Sequence, residues 1–375
     1  MNLDEYQAKA FATARIEWDD PEAQHIPALG VIGELGSVAS ELKKIIRDGD
    51  AYTEGRKNLG EEFGDLLWYL AAVATRHRLK LGAIAQSFTE AAMPRVHSFD
   101  HIYALVAAVA NLVSTARQHD LHPQASTKKK LVECIADALK CLLFSLRREK
   151  LKLASVLKAN LAKGDSKFGL SPEQAAAPCY DRKFRGYERL PRLLHVNFLE
   201  RGRGKGRVEV LLRCRGMNIG DRLTDNARKD DGYRYHDVFH LANAAVLGWS
   251  PVLRSILRCK RKSNSKVDET QDGARAAIVE EAIAHTVFQY AESHSLLKDL
   301  KHIDHGVLLL IQRMVKNLEI EKLAMHEWER AIFVGFEAFR LLKKNKGGWL
   351  TLDAETRSLT FSRGEPASSS PKSAR

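Results

Sequence analysis

The sequence predicts a mainly α protein: an all-α helical bundle followed by a basic α+β domain with a β-hairpin and several helices. Three observations carry that prediction. Two acid-bordered apolar stripes with helical spacing lie near the N-terminus, a Ser- and Pro-containing break falls after residue 170, and two strand-like segments precede a return to helical periodicity. The first stripe is Leu35, Val38, Leu42 and Ile45, and the second is Phe63, Leu66, Leu67, Leu70 and Val73. Residues three or four apart share a helix face, so Glu62 and Asp65 project together, while Glu34 and Glu41 lie two turns apart on one side. Two such helices packed antiparallel can gather these acids around a divalent cation, the usual remedy for unpaired carboxylates beside apolar surface. The plainer alternative is a solvated acidic face.

In chain order, the segment from Leu3 to about Ala162 reads as helical, within a first domain of residues 1–168. Residues 133–168 look like a worn copy of 61–96 at an offset of 72: Glu61 falls on Glu133, Asp65 on Asp137, and Leu79-Lys80-Leu81 on Leu151-Lys152-Leu153. The expected repeats are about 1–98 and 99–168. Cys134 replaces Glu62 in the second copy, and its first helix, around Ala107 to Arg117, carries no acids. Shared amphipathic periodicity alone is the competing explanation. A linker at 169–184 contains Ser171 to Pro178. In the second domain, 185–362, Leu194–Leu199 and Val208–Leu212 flank a Gly-rich basic turn and predict a hairpin. Helices are expected at Leu241–Leu247, Ala274–Tyr290, Val307–Leu323 and Glu327–Leu342, then a disordered tail at 363–375.

An ordered set of short motifs runs from about residue 3 to about residue 95: Leu3-Asp4-Glu5-Tyr6-Gln7, Leu29-Gly30-x-x-Gly33-Glu34-x-Gly36, Lys43-Lys44 with Arg47-Asp48-Gly49, and Glu62-x-Gly64-Asp65-x-x-Trp68-Tyr69-Leu70. This set resembles the MazG-like all-α nucleoside triphosphate pyrophosphohydrolases. The resemblance implies cleavage of a nucleoside triphosphate substrate to monophosphate and pyrophosphate, with Mg2+ as cofactor and Mn2+ as a substitute. Glu34, Glu62 and Asp65 match the metal positions, and Ser37 stands where the family has a second Glu. Glu41 or Glu61 would then add a ligand or orient water, with Glu62 also counted as catalytic. The family continues into an Asn-Leu-x-Lys segment facing the nucleotide. The first copy has Phe88-Thr89-Glu90-Ala91 there, whereas the second keeps Asn160-Leu161-Ala162-Lys163. These complementary losses imply one composite site, with Asn160 and Lys163 as substrate contacts and Lys43 and Lys44 as further phosphate candidates. The chain is then a monomer with an internal pseudo-dimer, or a homodimer.

Composition bounds the remaining partners. No apolar run approaches the roughly 18 to 20 residues that span a bilayer, so no membrane partner is expected. The N-terminus lacks signal-peptide regions, and five cysteines without paired short spacing predict neither a disulfide framework nor a zinc knuckle; a cytoplasmic location fits. The net charge of +12 concentrates between Cys179 and Gly216 and at Arg258-Cys259-Lys260-Arg261-Lys262. Such patches attract polyphosphate, including nucleic acid, or simply solubilise the surface.

The second domain carries its own polar constellation, from Asp221 through Arg234, Tyr235, His236, Asp237 and His240 to Glu280, Glu281 and His285. It resembles the C-terminal domain fused to some MazG-like proteins. His236 and His240 are one turn apart and could share a metal with Glu281 or His285. An internally hydrogen-bonded core network and a nucleotide or nucleic-acid surface are the alternatives.

Overall fold

A computed structural model describes residues 1–14, 16–86, 99–168, 177–202, 208–224, 228 and 230–366. Two compact units emerge, Met1–Leu170 and Ser171–Arg375. Phe88 to Ala91, Ser171 to Ala176, residues 203–207 where a turn is expected, Asp225, Asn226 and the residues beyond 366 lie outside the described residues.

Among the described residues, the regular elements of the first unit are all helices. Helix α1 (Leu3–Ala12) starts at a reciprocal capping box between Asn2 and Glu5. Helix α2 (Ile26–Asp48) has Pro27 in its first turn, and Gly49, at φ +51°, ends it. Helix α3 (Gly55–Arg76) follows after a short connection, so the two pack as antiparallel neighbours through Val31, Leu35, Val38, Phe63, Leu66 and Leu70. Beyond α4 (Leu81–Gln86), α5 (Asp100–Leu121) and α6 (Ala125–Arg148) form a second such pair, and α7 (Leu153–Phe168) ends the unit.

The same local structure recurs 72 residues on. Helices α3 and α6 end at Arg76 and Arg148, and α4 and α7 begin at Leu81 and Leu153. Between them Arg78 and Lys150 adopt φ of 57° and 56°. Leu79 and Leu151 each donate a 2.8 Å backbone bond to the carbonyl five residues earlier, the six-to-one closure of a Schellman turn. The third helices cross over, α7 packing on α3 and α4 on α6. That exchange brings second-copy residues to the acidic helix of the first copy.

The second unit is a five-stranded antiparallel sheet covered by helices. Its order is β3 (Met217–Leu223), β2 (Val208–Cys214), β1 (Leu193–Gly202), β4 (Gly347–Asp353), β5 (Ser358–Ser362). Alternate residues Leu194, Val196 and Phe198 are buried and pair with Leu352, Leu350 and Leu212, so one face is apolar. Against the sheet pack α8 (Asp237–Leu247) and α13 (Met325–Asn345), with Gly335 allowing close approach to Phe239 and Ala242. Helices α9 (Pro251–Ile256), α10 (Ser265–Thr270), α11 (Ala274–Glu292) and α12 (His305–Met314) are the other α-helices among the described residues of the unit.

Two expectations need correction here. The helix expected to reach Leu323 stops at Met314, and Asn317, at φ +70°, donates its backbone N–H to Glu321 instead of continuing the ladder. The basic run at 258–262 is not wholly surface, because Arg261 is buried and donates to Asp272 and Glu319.

Candidate metal centre

Glu34 projects from α2, and Glu62 and Asp65 from successive turns of α3. One oxygen from each lies within 4.8 Å of the others, on partly buried side chains. Glycines make this convergence possible. A Cβ on Gly30 would meet the Tyr69 ring at 2.2 Å, and one on Gly64 would meet Cβ of Asn160 at 3.1 Å. The motif glycines therefore allow Tyr69 to lie against α2 and α7 to lie against α3.

Lys163 and Asn160 of α7 both address Asp65. Nζ of Lys163 donates to Oδ2 at 2.5 Å, and Nδ2 of Asn160 donates to Oδ1 at 2.8 Å. Asn160 in turn accepts a 2.7 Å bond from the hydroxyl of fully buried Tyr6. The two residues expected to contact nucleotide thus hold a carboxylate, and buried Asn160 has its polar atoms engaged on Asp65 and Tyr6. Tyr6 belongs to the opening Leu3-Asp4-Glu5-Tyr6-Gln7 motif. Its role was not visible because a tyrosine near a helix start carries no signal of a partner 154 residues away.

The remaining acids and lysines separate from the cluster. Buried Glu41 accepts from Lys44 at 2.5 Å and from the Tyr52 hydroxyl, which itself accepts from Asn58 at 2.6 Å. Its two oxygens are engaged elsewhere, so it does not replace the carboxylate lost at Ser37, and Lys44 is likewise engaged. Glu61 turns toward Lys57 at 4.0 Å, and Lys43 is exposed.

Three carboxylates against one ammonium leave the cluster electrostatically short of positive charge. Burial, then the charges of Asp65 and Glu62, push the Glu34 carboxyl up to about 7, and burial with Asp65 raises Glu62 as well. Burial opposes the charge on Lys163, but Asp65 more than restores it. The folded chain therefore keeps a proton on Glu34 that the unfolded chain releases near the ordinary 4.5. That contribution to stability is complete below 4.5 and is lost as pH rises through about 7. Metal-free protein is expected to melt at lower temperature as pH rises across that window, and Glu34→Gln should flatten the trend. Thermal melts with chelator present check this.

In the second unit, Glu200 of β1 receives the Tyr235 hydroxyl at 2.5 Å and Arg234 at 3.0 Å. Arg234 also reaches Asp230 at 2.6 Å, so it anchors the turn before α8 to the sheet. This turn aims His236 and His240 at Glu281 of α11, and the three offer ligand atoms within 4.8 Å of one another. Glu280 and buried Asp237 flank them; His285 instead stands edge-on to Tyr233.

Residues 175–365, about half of the chain and nearly all of this second unit, match the family model of the MazG C-terminal domain. The chain belongs to the MazG-related family. It is also 35% identical over 92 residues to the Gene 37 protein of Mycobacterium phage L5, an alignment covering 23% of this chain and 81% of that protein. No solved structure matches it. The His236–His240–Glu281 cluster lies within the matched MazG C-terminal domain. No helix among the described residues is long and apolar enough to cross a membrane.

Proposed function

We propose that this MazG-related chain is a magnesium-dependent nucleoside triphosphate pyrophosphohydrolase, with manganese as a substitute, that converts a nucleoside triphosphate and water to the monophosphate and pyrophosphate. The observation that carries the reading is the meeting of Glu34, Glu62 and Asp65 beside Lys163, built from both repeats. The donor set fits the ion: hard carboxylate oxygens, too few for a full protein cage, leave positions for water and phosphate. Bound there, magnesium lowers the pKa of a water ligand and offsets charge developing on the phosphates.

Each protein group then has a defined task. Glu34 and Glu62 would hold the cation, Glu34 in its carboxylate form. Asp65 completes the set and is oriented by Lys163 and Asn160. Tyr6 fixes Asn160, so α1 contributes to the positioning of Asp65.

Incubating the chain with ribo- and deoxyribonucleoside triphosphates and magnesium tests the reading. Equimolar monophosphate and pyrophosphate are expected, and Lys163→Met is expected to lower turnover about 10- to 100-fold through misplacement of Asp65. Nucleotide binding without products would favour a regulator whose hydrolase domain, lacking the acid at Ser37, only senses nucleotide.

A further inference from the structure

The polar cluster at the start of α8 has no part in the chemistry proposed for the first unit, yet its donors are arranged as ligands. Nδ1 of His236 lies 3.0 Å from the Tyr233 carbonyl, which can only accept, so that nitrogen carries the hydrogen. The Tyr233 ring stacks on the imidazole at 4.7 Å and 9°, fixing its plane. Nδ1 of His240 faces Oε1 of Glu280 at 3.0 Å. Glu280, fully buried, is itself held by Asn243, the Ser250 hydroxyl and the Val252 N–H at 3.0 to 3.1 Å. A carbonyl or carboxylate behind one ring nitrogen turns the other outward as a donor, the arrangement found behind metal-bound histidines.

Both Nε2 atoms are thereby directed at the same carboxylates. His240 Nε2 is 3.3 Å from Glu281 Oε1 and 3.9 Å from Asp237 Oδ1; His236 Nε2 is 3.9 Å from Glu281 Oε2 and 3.8 Å from Asp237 Oδ1. Donors bonded at about 2.1 Å in a tetrahedron stand about 3.4 Å apart, close to this spacing. An independent observation points the same way. His240 is completely buried, with Nδ1 backed by Glu280 and carboxylate oxygens facing Nε2, Glu281 Oε1 the nearer at 3.3 Å. Carboxylates gathered round a buried imidazole need a cation or a shared proton between them.

We propose that His236, His240 and Glu281, with Asp237 beside the two imidazoles, form a second metal site, selective for a divalent transition-metal ion such as zinc, manganese or iron(II) over magnesium. Two imidazoles with carboxylates suit such ions, whereas the all-carboxylate cluster of the first unit suits magnesium. The Glu281 side chain is 43% exposed and borders a largely apolar groove formed by Tyr233, Val252, Ile256, Ile278 and His285. An ion would reach the site from that side.

The test uses the full chain carrying Glu62→Gln, which removes a carboxylate from the first-unit cluster, stripped with chelator and titrated separately with Zn2+, Mn2+ and Mg2+ by calorimetry. One equivalent of Zn2+ or Mn2+ should bind, with Mg2+ at millimolar concentration failing to displace it. Adding Glu281→Gln should weaken that binding at least about 10-fold with an unchanged circular dichroism spectrum, and adding His236→Ala should abolish it. If His236→Ala does not fold, the partly exposed Glu281→Gln decides alone. Substoichiometric uptake of both Zn2+ and Mn2+ by folded protein, or undiminished binding after Glu281→Gln, would overturn the proposal and leave a proton, not a metal, on His240.

Discussion

Glu62→Gln is expected to leave the fold intact and lower pyrophosphate release by roughly 10²- to 10³-fold, the loss typical when a group that stabilises developing charge is removed. The side chain faces Glu34 and Asp65 from partly buried positions, and its carboxyl is raised by burial and by Asp65. An amide of the same shape removes one negative charge from a crowded site. It therefore weakens cation binding while relieving repulsion in the metal-free chain. Its melting temperature with chelator present should equal or exceed that of the parent, which separates a functional loss from an unfolded protein. A variant with parental turnover would remove Glu62 from the site; one with a much lower melting temperature would make it structural.

Asp272→Ala should be the most destabilising single change in the second unit, costing about 3–5 kcal/mol by denaturant unfolding of the full chain. Asp272 is fully buried and receives Nη2 of Arg261 at 2.6 Å, its backbone N–H at 2.7 Å and its Nε at 3.0 Å. Arg254 approaches the same carboxylate at 3.6 Å while holding Asp181 at 2.6 Å. Without Asp272, Arg261 keeps Glu319 but remains buried with part of its guanidinium uncompensated. Replacing both partners, as Arg261→Met with Asp272→Leu, should recover part of the loss, because two apolar groups need no partners. A single-variant cost under about 1 kcal/mol would show that the network is dispensable.

The parts of the fold legible in the sequence are those written in local periodicity. Apolar spacing located α2, α3, α8, α11 and α13, and the hairpin signal located β1 and β2. Of the three other strands, β4 pairs with β1 across about 150 residues, and only the alternating buried Leu350 and Leu352 hint at it, whereas β3 and β5 join their partners through tight turns but are edge strands without an alternation of buried apolar residues. Spacing likewise brought Glu62 and Asp65 onto one face, and the family resemblance supplied Glu34. Spacing could not distinguish Glu41, two turns from Glu34 on the same helix, because its exclusion depends on Tyr52 and Lys44 engaging both oxygens. Nor could it show that Asn160 and Lys163 approach a carboxylate, since that follows from the crossing of α7 onto α3. Arg261 illustrates the opposite error: one-dimensional charge density cannot separate a solvated arginine from one buried against two acids.

The most direct measurement of the central claim is Mn2+ binding, read by electron paramagnetic resonance, with an uncleavable α,β-methylene nucleoside triphosphate present. Carrying Glu281→Gln throughout suppresses the second-unit cluster. The account expects one Mn2+ bound more tightly with nucleotide than without it, and loss of that enhancement in Glu34→Gln and Glu62→Gln. Equal Mn2+ binding in parent and variants, or no effect of nucleotide in the parent, would contradict it.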